Sequence, residues 1–177
     1  MARKKTKKEP FWVQLNTNLK PFQREIIGLL VLALAAITIL GLFSATSGML
    51  SNWWTRQLRR VFGLGAYVVA VGLAFAGIYL LLANLGQGLK MNWKTIFGAE
   101  VIFIAGLALI HLLSISQNPW QLAESGGGGG FVGLAISNLL ISTLGWPLAL
   151  LILLAMLGLG IAMTFDLSAF PSAVLRA

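Results

Sequence analysis

The chain has 177 residues, 58% of them hydrophobic and only 10% charged, with a mean hydropathy of +0.85. A water-soluble domain of this size cannot hide so much apolar surface, so composition excludes a soluble globular protein and implies an integral membrane one. The net charge of +8 is uneven, since seven of the 13 basic residues precede Glu25, and the lack of cysteine excludes disulfides, thiolate zinc sites and thiol redox pairs.

Residues 1–24 read as a basic cytoplasmic tail followed by an interfacial segment. Arg3, Lys4, Lys5, Lys7 and Lys8 repel one another and stay solvated, and they act as a topology signal that keeps the N-terminus inside. An electrostatic hold on anionic lipid or nucleic acid is the more specific alternative. Phe11, Trp12 and Phe22, beside Pro10 and Pro21, suit the headgroup layer.

The membrane domain is expected over residues 25–167. Its first span, 26–43, is uncharged and longer than the roughly 7–15 apolar residues of a signal peptide, so it is an anchor. Residues 48–60 carry Trp53, Trp54, Arg56, Arg59 and Arg60, which suggest a short amphipathic helix at the interface. In the second span, 61–82, Ala66, Ala70 and Ala74 recur every fourth residue, and Gly72 with Ala76 repeats the spacing. Small residues so placed let helix backbones approach closely, so this face is expected to pack on another span. After a polar turn with Lys90 and Lys94, a third span runs over 99–115, opened by Glu100 and holding His111 near its far end. Pro119 and Trp120 stop it.

The run from Phe131 to Phe165 contains no Asp, Glu, Lys or Arg. It exceeds the roughly 20 residues of one crossing but falls short of two crossings with a turn. Gly145 suits a helix C-cap and Pro147 the first turn of the next helix. The run therefore divides into a half-helix over 131–143 and a full span over 148–165. Residues 168–177 begin a cytoplasmic linker. The fold class is thus all-α: a polytopic helical membrane protein of four transmembrane helices plus a short re-entrant or interfacial helix.

Charge sets the orientation. With the N-terminus inside, Arg3, Lys4, Lys5, Lys7, Lys8, Lys20, Arg24, Lys90, Lys94 and Arg176 lie within, against Arg56, Arg59 and Arg60 outside. That bias obeys the positive-inside rule and places both termini in the cytoplasm.

Few residues offer chemistry. Gly126, Gly127, Gly128, Gly129 and Gly130 form a continuous run, and Gly128, Gly130 and Gly133 satisfy G-x-G-x-x-G. The fingerprint lacks its context, because no strand precedes it and no acidic residue follows about 20 positions on. A P-loop lysine is missing as well, so these glycines, with Gly145 and Pro147, read as a structural hinge. Gly130, Gly133 and Ser137 also give the half-helix a slim packing edge. His111 shares a helix face with Glu100, but the two lie ~16 Å apart by helical rise, too far for direct proton exchange. Packing and an interhelical hydrogen bond are the expected roles of His111. No catalytic set, cofactor site or metal-ligand cluster can be assembled from these residues.

The order of the pieces resembles a known family. Arg24-Glu25-Ile26-Ile27-Gly28-Leu29-Leu30 opens the first span and Val61-Phe62-Gly63-Leu64-Gly65-Ala66-Tyr67 the second. Gly129-Gly130-Phe131-Val132-Gly133 follows the third, and Leu144-Gly145-Trp146-Pro147 precedes the last. Together they resemble the N-terminal four-span membrane domain of the FtsK/SpoIIIE bacterial DNA translocases, over roughly 25–164. The resemblance implies a multi-pass inner-membrane anchor at the division septum that oligomerises, contacts lipids and septal proteins, and tethers an ATP-driven motor acting in chromosome segregation. DNA would be touched only by that C-terminal motor, whose Walker motif is absent from these 177 residues. The alternative from another class is a small multi-pass transporter or channel subunit, since a broken helix is common at transport sites.

Overall fold

In the computed structural model the described residues are 22–45, 48–82, 92–114 and 118–165. The basic residues 3–20, residues 84–91 of the polar turn expected over 84–97, and the linker expected at 168–177 lie outside them. Seven α-helices and one 3-10 turn make up the described chain: α1 Gln23–Leu42, α2 Met49–Phe62, the 3-10 turn Gly63–Gly65, α3 Ala66–Leu82, α4 Trp93–Leu113, α5 Pro119–Glu124, α6 Gly130–Leu144 and α7 Trp146–Thr164. Four stretches are long and apolar enough to cross a membrane: α1, the α2–α3 unit, α4 and α7. The short α6 stands apart from them. The protein is an all-helical multi-pass membrane protein.

Local chemistry sets the element ends. α4 begins before Glu100 because the Asn92 side chain accepts a hydrogen bond from the Lys94 N–H at 3.2 Å and caps the helix. Asn118 does the same for α5, accepting from the Gln121 N–H at 3.2 Å, with Pro119 in the first turn where a missing N–H costs nothing. Gly145 ends α6 and opens α7 at φ 81°, and Pro147 sits in the first turn of α7. The helix before α3 is longer than the connector expected over 48–60. α2 runs on to Phe62 and meets α3 through a break at Gly63, where φ is +57°.

Packing divides the spans into two hairpins. α1 lies along α3, and α4 lies along α7 with α6 against its side. In the first hairpin, Ala66 and Ala70 are buried with Leu42 and Leu58, and Gly77 sits against the Leu32 backbone. Ala74 is half-buried, whereas Gly72 and Ala76 are exposed, and a methyl group at Gly72 would meet nothing within 4 Å. In the second hairpin, Leu153 is fully buried against Ala108 and Leu109. Gly98 and Gly160 there bring two backbones together: a methyl at Gly160 would stand 2.9 Å from the Gly98 carbonyl oxygen. The outward faces carry large apolar side chains, such as Leu30, Phe75 and Leu151, as lipid contact requires.

Buried hydroxyl groups inside the spans are satisfied locally. Thr38, fully buried on α1, donates to the Leu34 carbonyl at 2.7 Å and accepts from the Trp54 indole N–H at 2.9 Å. That second bond ties α2 down onto α1. Thr164 donates to the Gly160 carbonyl at 2.8 Å, the usual way a span keeps a hydroxyl out of lipid.

Candidate functional site

The two hairpins meet at one end of the bundle, where the glycine loop between α5 and α6 docks on the break between α2 and α3. The Leu64 N–H donates to the Gly128 carbonyl at 2.9 Å across this joint. Gly63 rests on Gly128 and Gly130 backbone to backbone: a methyl at Gly63 would overlap the Gly128 carbonyl oxygen, and one at Gly130 would stand 2.5 Å from the Gly63 nitrogen. On its other side the loop presses on α4. A methyl at Gly129 would overlap the Leu107 carbonyl oxygen, and one at Gly133 would come within 2.5 Å of it. Gly127 has no such close backbone neighbour in another segment; it packs on Leu122 and donates to that residue's carbonyl at 2.9 Å.

Conformation adds to contact. Gly126, Gly128 and Gly130 have φ of 78°, 54° and 62°, a region that side-chain-bearing residues rarely enter. The run is therefore a tightly turned plug with buried glycines at 128–130. It starts α6 beside Leu107, well inside α4, and α6 ends where Trp146 lies near the α4 terminus. Sequence reasoning marked these glycines but not their partners Gly63 and Leu107, because a close backbone approach leaves its signature on one residue and its cause on another.

Charged side chains fasten the outside of the joint. Arg60 pairs with Glu124 at 3.8 Å and donates to the Glu124 carbonyl at 3.3 Å. Arg59 donates to the Tyr67 hydroxyl at 2.8 Å, with its guanidinium 5.7 Å from the ring centre. Both pairs are solvent-exposed, so each contributes at most about 1 kcal/mol. Between these groups and the end of α1 lies a cleft of about 240 Å³ bordered by Arg56, Arg59 and Arg60.

His111 occupies the other side of the loop. Its ring is 5% exposed, and neither ring nitrogen has a hydrogen-bond partner among the described residues, so the interhelical bond expected of it is not formed there. Beside it is a cavity of about 330 Å³ lined also by Ser114, Ser137, Asn138 and Trp146. Among the described residues no group of three or more His, Cys, Asp or Glu side chains converges to hold a metal.

Comparison with known proteins gives this arrangement its place. Residues 45–174 match the family described as the 4TM region of DNA translocase FtsK/SpoIIIE, a match that includes α2 to α7 and the whole joint but leaves α1 outside. The DNA translocase FtsK of Caldanaerobacter subterraneus subsp. tengcongensis is 24% identical over 155 residues, covering 84% of this chain. The chain spans only 22% of that relative's length. No solved structure matches. With the joint and all three later spans inside the match, the chain belongs to the family of FtsK/SpoIIIE four-span membrane regions.

Proposed function

We propose that this chain anchors and assembles an FtsK-like DNA translocase in the bacterial inner membrane, with both termini cytoplasmic, and serves chromosome segregation at cell division. The observation that carries the reading is the family match across the glycine joint and the spans on either side of it. The bias of basic residues toward one side supports the orientation. In this reading the chain works as a homo-oligomer against lipid and septal proteins, and ATP hydrolysis and DNA contact fall to a motor carried elsewhere. The test replaces the membrane region of an FtsK-type translocase with this chain. The expected result is recruitment of the hybrid to the septum and normal chromosome partition. Uniform membrane distribution contradicts it. A reporter fused after Ala177 that is active only in the cytoplasm tests the orientation, and a silent reporter overturns it.

One observation favours a second reading, a transporter or channel subunit. A buried histidine with both nitrogens unpartnered among the described residues, beside a part-polar cavity, is the form an intramembrane substrate contact takes. Transport abolished by His111→Ala, with the spans intact, would establish it.

A further inference from the structure

Helix α2 carries exposed apolar side chains at its start and, toward its end, arginines whose charge the joint uses only in part. At its start Met49, Leu50 and Trp53 stand 92%, 77% and 56% exposed. Toward its end come three arginines, and their charge is only partly met. Arg60 has Glu124; Arg59 has the neutral Tyr67 hydroxyl, which leaves its charge uncompensated. Arg56 is exposed and without a partner among the described residues. Asn52, Arg56 and Arg59 follow one another at four- and three-residue spacing, so they share one flank of the helix. That flank faces the cleft of about 240 Å³, closed on its other sides by Gly41 and Leu42 at the end of α1 and by Glu124 and Ser125.

We propose that this cleft binds the phosphate of an anionic phospholipid, with Arg56 and Arg59 as the phosphate ligands. Three cations against one carboxylate give the site a surplus of positive charge, and guanidinium donors match phosphate oxygens in pairs. α2 is the charged segment between the apolar α1 and α3, at the end of the bundle where those two spans connect, which is where headgroups would lie. Met49, Leu50 and Trp53 then enter the adjoining acyl region, a place that suits tryptophan and that a free phosphate could not exploit. The assignment rests on the four spans alone and stands or falls independently of the translocase role.

Native mass spectrometry of the full chain in mild detergent, with phosphatidylglycerol, phosphatidylcholine and inorganic phosphate as probes, tests it. The wild type is expected to retain phosphatidylglycerol far better than phosphatidylcholine. Arg56→Gln should weaken that retention about fivefold, and the double variant Arg56→Gln/Arg59→Gln at least about tenfold. Arg56 makes no described internal contact, so its variant keeps the fold. Lys94→Gln, at the opposite end of the bundle, should leave retention unchanged, and the basic tail is common to every variant. Equal retention of both lipids by the wild type, or phosphatidylglycerol retention unmoved by both arginine variants, overturns the site. Displacement of phosphatidylglycerol by millimolar inorganic phosphate overturns the lipid assignment in favour of a free anion.

Discussion

The crossing of α4 and α7 and the joint between the hairpins both set glycine where two backbones meet, but they hold that contact differently. At the crossing, Gly98 and Gly160 lie inside continuous helices with negative φ, so a methyl group meets only a steric obstacle. Two helices can slide or tilt slightly to relieve it. At the joint, Gly63 and Gly130 combine the obstacle with a positive φ, and the backbone they touch is held by the Leu64–Gly128 hydrogen bond and by the seating of the loop on α4. Neither side has a direction in which to yield. Glycine in the crossing permits closeness, whereas glycine in the joint is the only residue the backbone admits.

The difference predicts a ranking. Gly63→Ala should be the most damaging of these methyl additions, because it adds strain of about 1–3 kcal/mol for its backbone angles to overpacking of about 1–3 kcal/mol. Loss of folded, monodisperse protein in detergent would report it, and near-normal stability would break the comparison. Gly160→Ala carries the steric part alone and should cost about 1–3 kcal/mol in a denaturation midpoint. Gly145→Ala isolates the other part: φ is +81° and ψ 164°, angles essentially confined to glycine, but nothing lies within 4 Å, so about 1–3 kcal/mol is expected. Trp54→Phe removes the indole bond to Thr38 and should cost about 0.5–1.5 kcal/mol, read as weaker protection of α2 in hydrogen exchange. Gly72→Ala, on an open helical face, should stabilise by about 0.5–1 kcal/mol.

The same contrast explains what the sequence made legible. Four spans and an all-helical fold follow from apolar runs with few or no charges, which are local and long. The boundary between α6 and α7 falls between Leu144 and Trp146 because cap and first-turn chemistry belong to neighbouring residues, Gly145 and Pro147. The joint was legible on one side only. The glycine run announces an unusual backbone, but its fit to Gly63 and Leu107 depends on a contact between segments far apart in the chain. The four-residue spacing of small side chains shows the opposite limit. It marks Ala66 and Ala70, which are buried, and equally Gly72 and Ala76, which face outward. Spacing tells which face can pack closely; whether a neighbour arrives there is decided by the other helices.

The central claim is that the glycine plug joins the two hairpins, and dividing the chain tests it most directly. Two fragments cut between Leu82 and Trp93, one carrying α1 to α3 and the other α4 to α7, are coexpressed and one is captured in mild detergent. The account predicts that the halves purify together and that Gly63→Val, in the first half alone, separates them while leaving each half helical. Halves that stay together despite Gly63→Val, or that never associate, would contradict it.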